Sequence, residues 1–319
     1  MILIVALNLF VHKTAIVDGI EINGVNNIQD YRLVVGESAV YSAYMIKLLQ
    51  GEPYVLGIAG GIGGRYIKNF MDKSRIKCDL LWKDSETRSE LKIIDSINMT
   101  ETTFIDDNFI FDDKDMKNLK HKIQNNIKDA NTVLISSKTV PDGATIKIIE
   151  DIIFISKLNN QKVVTSLSGI ELRKSLELHP YGVVINSNDL TELEIEDTDE
   201  DKNLFDALRT IAATYKVKYL VYDNNQNKNI FLISKNKICS AKYGKFAKEL
   251  DVTASKDLIA GALALGVSRK YEMEKMTKLL GAVKGSTQYS NYPQICQRRD
   301  IDELYHKMKL VEMYNSQEK

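Results

Sequence analysis

The sequence predicts an α/β protein, with a doubly wound, mostly parallel sheet flanked by helices and a small β-sheet lid. Three observations predict it. Six short apolar runs alternate with stretches of helical period over residues 1–223, and strand–helix alternation gives a parallel sheet covered on both faces. Two segments with strand-like polar alternation, 14–35 and 88–105, stand where crossover helices would be expected. The 319 residues, 44% hydrophobic and 27% charged, are enough for a large core, either as two domains or as one α/β domain with an appendage.

The strands expected in order are MILIVALN (1–8), PYVLGIA (53–59), TVLISS (132–137), KVVTSL (162–167), YGVVIN (181–186) and KYLVYD (218–223). Helices are expected at 38–50, 63–73, 144–158, 169–177 and 202–215, and the chain after 254 reads as mainly helical. Residues 1–13, 36–87 and 106–319 then make the core, and 14–35 with 88–105 the lid. A sheet placed at the strand ends could cover a site. Its edges could pair between subunits, giving a homodimer. The acidic run over residues 193–202 reads as a solvated loop.

Lys plus Arg equals Asp plus Glu, at 43 each, which argues against nucleic acid or an anionic membrane surface as partner. Cys78, Cys239 and Cys296 are far apart and without zinc spacing, so free thiols in a reducing compartment are expected. The N-terminus lacks a basic region and a cleavage site, and no segment reaches transmembrane length. The expected location is the cytoplasm.

Four candidate sites follow strands, where ligands bind in open α/β sheets. GIAGGIGGRYI (57–67) includes Gly60 and Gly61, which either let a ligand approach the backbone or pack a strand tightly on a helix. It is neither a dinucleotide fingerprint nor a Walker A loop. ETRSELKI (86–93) puts Arg88 and Lys92 on one strand face with Glu90 between them. The two cations either hold a phosphate or form a solvated face. In SSKTVPDG (136–143), Ser137 and Thr139 either bond ligand hydroxyls or belong to an ordinary turn. In NSNDLTEL (186–193), Asn186 and Asp189 either face hydrated Mg²⁺ and phosphate or cap a helix. The four histidines show no metal-ligand spacing; His12 reads as a surface residue after the first strand.

Residues 258–265 are apolar all round and predict a buried helix. Its start, Thr253-Ala254-Ser255-Lys256-Asp257, is either an altered anion site or a capped helix.

In this order the motifs resemble those of the ribokinase-like PfkB family, within it the 1-phosphofructokinase and tagatose-6-phosphate kinase branch. The resemblance runs from VALNLFVHKT through GIAGGIGGRYI, ETRSELKI, SSKTVPDG, TSLSGIELRKSL, NSNDLTEL and DLIAGALALG to QRRDIDEL. It implies a ribokinase-like fold with a β lid over a sugar site, a phosphorylated sugar as substrate, and transfer of the ATP γ-phosphoryl group with Mg²⁺ as cofactor. By the same resemblance Arg88, Lys92, Gly60, Gly61, Ser137 and Thr139 fall on the substrate side. Asn186, Asp189 and Ser255 fall on the cofactor side, with Asp189 as the metal candidate.

The departures concentrate where the chemistry would be. His12 stands for a sugar-binding Asp, Glu37 for a phosphate-facing Lys, and Glu90 for an Asn. Val184 stands for a Lys, and YDNNQNKN (222–229) has no glycine where the family's nucleotide loop has two. The family writes G-A-G-D before its buried helix. Here Thr253-Ala254-Ser255 covers G-A-G, Lys256 covers the catalytic Asp, and Asp257 falls one residue late, about 100° around a helix. A weak or inactive kinase homologue is expected, with Asp257 as base in a remodelled turn as the alternative.

Overall fold

The computed structural model of the chain describes residues 1–7, 9–36, 39–106, 112–136, 143–195, 201–224, 228–243, 255–287 and 296–315. Among these described residues the strands form two sheets. The larger runs, in spatial order, β5 (Lys77–Lys83), β4 (Pro53–Gly60), β1 (Ile2–Ala6), β8 (Thr132–Ser136), β9 (Lys162–Ser166), β10 (Gly182–Asn186) and β11 (Tyr219–Asn224), all parallel. Three antiparallel strands extend it beyond β11: β12 (Asn229–Ile233), β13 (Lys237–Lys242) and β14 (Leu310–Asn315). All six expected core strands are present. The expected helices are present as α1 (Ala39–Leu48), α2 (Gly61–Lys73), α4 (Gly143–Leu158), α5 (Gly169–Glu177) and α7 (Asp201–Thr214).

The inner parallel strands have apolar centres because both faces are covered. On β1, Ile2, Ile4 and Ala6 face a core formed with α1, α2, α8 (Ser255–Ser268), α9 (Met273–Ser286) and α10 (Arg298–Lys307). Leu3 and Val5 face a second core formed with α3 (Asp113–Asn126), α4, α5 and α7. Each fully buried Leu, Ile or Val side chain stabilises by about 1.5–3 kcal/mol relative to exposure.

The segments outside the expected set have weaker patterns. Helix α3 buries only Leu119 and Ile123 among its polar residues and starts on an Asp112–Asp115 capping box. Edge strand β5 has one fully buried residue, Leu80. Strand β14 interrupts the expected helical C-terminal part.

The second sheet has the order β3 (Ile28–Val35), β2 (Val11–Val17), β6 (Ser89–Asp95) and β7 (Thr100–Ile105). It begins at Val11, three residues before the expected segment, because Val11 continues the β2–β6 register opposite Ser89. Asp95 ties it to the turn after β2, accepting from the backbone N–H of Gly19 and Ile20 at 3.1 and 2.8 Å.

Helix α8 lies against α1 so closely that a Cβ on Gly261 would sit 2.4 Å from the Ser42 carbonyl oxygen. The Ser42 hydroxyl adds a 2.6 Å hydrogen bond to the Asp257 carbonyl. This contact fixes the start of α8 at the carboxyl ends of the strands, where the candidate residues converge. Among the described residues no helix is long and apolar enough to cross a membrane.

Candidate functional site

Three consecutive residues at the start of α8 each reach a different part of the strand-end row. Asp257 accepts a 2.5 Å hydrogen bond from the Ser136 hydroxyl at the end of β8. Lys256 donates to the Leu167 carbonyl at 2.7 Å and the Ser168 hydroxyl at 2.9 Å, both just past β9, and to Asp189 at 2.7 Å, just past β10. Ser255 accepts at 2.8 Å from Lys284, which reaches over from α9. Lys284 also donates at 2.7 Å to Asp223 in β11.

Asn186 and Asp189 make the capping box of α6 (Ser187–Glu192). The Asn186 amide oxygen accepts from Asn188 N–H at 3.0 Å, and Asp189 accepts from Asn186 N–H at 2.9 Å. The oxygen of Asp189 bonded to Asn186 also accepts from Lys256. Asp189 is 3% exposed as a side chain and Lys256 14%. The helix-cap geometry and an internal ion pair thus occupy the two residues expected to face magnesium.

Magnesium requires a near-ideal octahedral shell of oxygens. Asp189 offers one carboxylate already holding an ammonium, and a second cation about 4 Å from that ammonium meets a repulsion of about 4 kcal/mol per unit charge near a protein surface. The next carboxylate along the row, Asp223, is held by Lys284 and by the Tyr243 hydroxyl at 3.3 Å. These residues do not fit a magnesium ion.

The Lys284–Asp223 pair was not anticipated from the sequence. Both side chains are at most 2% exposed. Burial pushes the Asp223 carboxyl up, while the Lys284 ammonium and the Tyr243 hydroxyl pull it down. Burial, then Asp223, pushes the Tyr243 phenol up. The available signal was one lysine inside the small, otherwise uncharged run Gly281-Ala282-Val283-Lys284-Gly285-Ser286, all buried.

On the lid side, Arg88 immediately precedes β6 and lies within 5.7 Å of the centre of the Phe10 ring. Its guanidinium meets Glu90 at 3.5 Å, and His12, opposite Glu90 in the parallel β2–β6 register, meets the other Glu90 oxygen at 3.6 Å. His12 is therefore half-buried against a carboxylate, a correction to its reading as a surface residue. Lys92 turns to Glu101 on β7 at 2.9 Å. The expected pair thus shares a sheet face, but its cations have separate carboxylate partners.

The glycine loop is explained by close packing against the chain that leads into the lid. A Cβ on Gly60 would lie 2.0 Å from the Ser85 carbonyl oxygen, and Gly61 has φ +60° with Glu86 against it. The Glu86 carboxylate accepts from the N–H groups of Ile62 and Gly63 at 2.9 and 2.6 Å, an internal anion at the N-terminus of α2. Thr87 exchanges two 2.8 Å hydrogen bonds with Gly60.

Ser137, Thr139, Glu37, Thr253, Ala254, residues 196–200 of the acidic run and residues 225–227 of the polar loop lie outside the described residues.

Two other clusters have structural explanations. Cys239, Glu274 and Glu312 bring three metal-ligand atoms within 4.8 Å. However, the Lys237 ammonium already bridges both glutamates, and burial pushes the Cys239 thiol up to about 11. A cavity of about 310 Å³ is lined by Leu49, Arg269, Tyr271 and Arg298 among others. It lies at the far end of α1, where its arginines cap the carbonyls of Leu48, Leu49 and Gln50.

No protein-family model matches the sequence. The chain is 23% identical to a 1-phosphofructokinase of Borreliella burgdorferi over 316 residues, covering 99% of this chain and 100% of the relative. It is 23% identical to a 1-phosphofructokinase of Bacillus subtilis over 90% of this chain and 91% of the relative. A D-tagatose-1-phosphate kinase of Klebsiella oxytoca is 23% identical over 66% of this chain and 68% of the relative. Among solved structures, phosphofructokinase-2 of Escherichia coli in complex with fructose-6-phosphate superposes with a TM-score of 0.82 at 15% identity, covering 96% of this chain and 98% of that one. The tetrameric inhibited form of the same enzyme gives a TM-score of 0.83 at 17% identity, with the same coverage. The chain is thus similar along its whole length to 1-phosphofructokinases and shares the fold of phosphofructokinase-2.

Proposed function

We propose that the chain is a sugar-phosphate kinase homologue of the fructose-1-phosphate and tagatose-6-phosphate kinase type whose phosphoryl transfer is weak or absent. It retains at most binding of a phosphorylated ligand or of a partner protein. The observation that carries this reading is Lys256: where the family has its catalytic Asp, this chain has an ammonium tied to Asp189 at 2.7 Å. A positioned general base contributes roughly 10²–10⁴-fold and one anion-hole donor, lost here with the family's glycines, about 10²–10³-fold, while kinases turn over at about 1–100 s⁻¹. Turnover at or below about 10⁻² s⁻¹ is therefore expected with ATP, Mg²⁺ and either fructose 1-phosphate or tagatose 6-phosphate. A coupled ADP-release assay reaching about 1 s⁻¹ would overturn the proposal.

One observation favours the alternative of a working kinase that uses ATP and Mg²⁺. Asp257 reaches the end of β8, with its carboxylate accepting from Ser136. If it serves as base, Asp257→Asn lowers turnover by about 10²–10⁴-fold.

The lid supports a homodimer in either case. Ile22, Val25 and Met99 are 83%, 89% and 86% exposed, and Tyr31 and Phe104, on edge strands β3 and β7, are about half exposed at 52% and 55%. Sedimentation of the parent against a Val25→Lys/Met99→Lys variant tests the dimer. The balanced charge and separated cysteines support a cytoplasmic protein without a nucleic-acid or membrane partner.

A further inference from the structure

We propose that Lys256 is the resident cation of this site: its ammonium, tethered to α8, holds the place beside Asp189 that a divalent metal would need, and the cleft takes its ligands without one. The proposal builds on the reading above but is separable from it, since a chain can lose turnover and still bind metal.

The argument is one of matched valences. An ammonium has three protons to donate and accepts nothing. Lys256 places them on three acceptors, the Leu167 carbonyl, the Ser168 hydroxyl and Asp189, at 2.7, 2.9 and 2.7 Å. The acceptors come from two neighbouring strand ends, as the oxygens around a small cation would. Asp189 is 2% exposed, and a carboxylate at that depth needs a counter-charge. Lys256 supplies it permanently and at a fixed position. The flanking residues reinforce the arrangement: Ser255 is bonded to Lys284 and Asp257 to Ser136, so Lys256 starts from a helix end anchored on both sides.

The test uses Mn²⁺ as probe on the full chain, with free ion followed by electron paramagnetic resonance and stability by thermal shift. The parent and a Lys256→Arg variant should show no Mn²⁺ binding that Asp189→Asn removes. Lys256→Gln, which keeps a polar side chain and deletes the charge, should bind Mn²⁺ about tenfold or more tightly than the parent. That gain should vanish in Lys256→Gln/Asp189→Asn. The proposal is overturned if the parent binds Mn²⁺ in a way that Asp189→Asn abolishes, or if folded Lys256→Gln gains no affinity. Should Lys256→Gln fail to fold, the comparison of parent with Asp189→Asn decides alone. Turnover separates the two readings: ADP release at about 1 s⁻¹ with no Mn²⁺ site at Asp189 would sink the loss of turnover and leave the resident cation standing.

Discussion

The two sides of the cleft have met the same problem differently. At the strand ends, two lysines from α8 and α9 engage buried aspartates at 2.7 Å each. On the lid side, Arg88 meets Glu90 only at 3.5 Å and His12 meets the same carboxylate at 3.6 Å. The first arrangement is part of the core, so deleting one partner alone destabilises the fold. The second is a loose set of charges on a small sheet, one substitution away from the family's Asn. In this reading the strand-end side has been rebuilt, while the lid side has only been masked.

The largest effect that would break this contrast is on Lys284. Deleting one partner of a buried ion pair costs about 3–5 kcal/mol, so Lys284→Ala should lower unfolding stability by that amount in urea. Lys284→Met/Asp223→Leu should recover most of it, because a well-packed apolar pair is often neutral or stabilising in place of a buried ion pair. A loss below about 1 kcal/mol for Lys284→Ala would mean the pair is no core element.

Next in size is the lid. Glu90→Asn removes the carboxylate beside Arg88, and a charge-assisted hydrogen bond to a phosphate contributes about 1.5–3 kcal/mol. Phosphosugar affinity, read by calorimetry, should rise about tenfold or more. Arg88→Ala in that background should abolish the gain, since a guanidinium can grip phosphate with two parallel bonds. If Glu90→Asn binds no better than the parent, the lid side has been rebuilt as well.

A smaller, pH-dependent effect sharpens the same contrast. The backbone N–H and side chain of Asn98, followed by the N–H groups of Ile20 and Ile97, hold the Asp95 carboxyl well below the usual carboxylate range. A depressed folded value means the stabilisation is present above the unfolded value of about 3.9 and is lost as pH falls through the folded one. Amide exchange in the lid turns should therefore accelerate below about pH 4 before exchange around Lys284 does. Asp95→Asn should flatten that dependence.

The smallest effect concerns the thiols. Burial pushes Cys296 up to about 12 and leaves little thiolate at neutral pH. Burial raises Cys78 as well, but its side chain is only half-buried. Alkylation mapped by mass spectrometry should mark Cys78 first.

The sequence reveals the fold more fully than the site, for a physical reason. Strands β1, β8, β9 and β10 are buried on both faces, so their central residues are apolar and the pattern shows within five letters. Strands β5 and β7 lie at sheet edges and α3 carries a narrow buried stripe, so composition there is nearly free. Within the site, Lys256 stood out because it replaces a residue of opposite charge in a recognisable motif. Its partner Asp189 did too, but their pairing did not, since 67 residues separate them. Lys284, Asp223 and Tyr243 come from α9, from β11 and from just past β13. A polar contact between distant segments leaves no periodicity for the sequence to show.

The position of β1 has a consequence for how the chain is made. Strand β1 lies between β4 and β8, which both follow it in the chain and whose partner residues run from Pro53 to Gly57 and from Thr132 to Ser136. At about 5–20 residues per second, the ribosome takes on the order of ten seconds to deliver the second partner. Throughout that interval Ile2-Leu3-Ile4-Val5, an apolar run that is fully enclosed in the finished molecule, has at most one neighbour. The nascent chain would thus be a natural client for a chaperone that shields apolar strands, and slower decoding between codons 57 and 132 should increase aggregation without any change in amino-acid sequence.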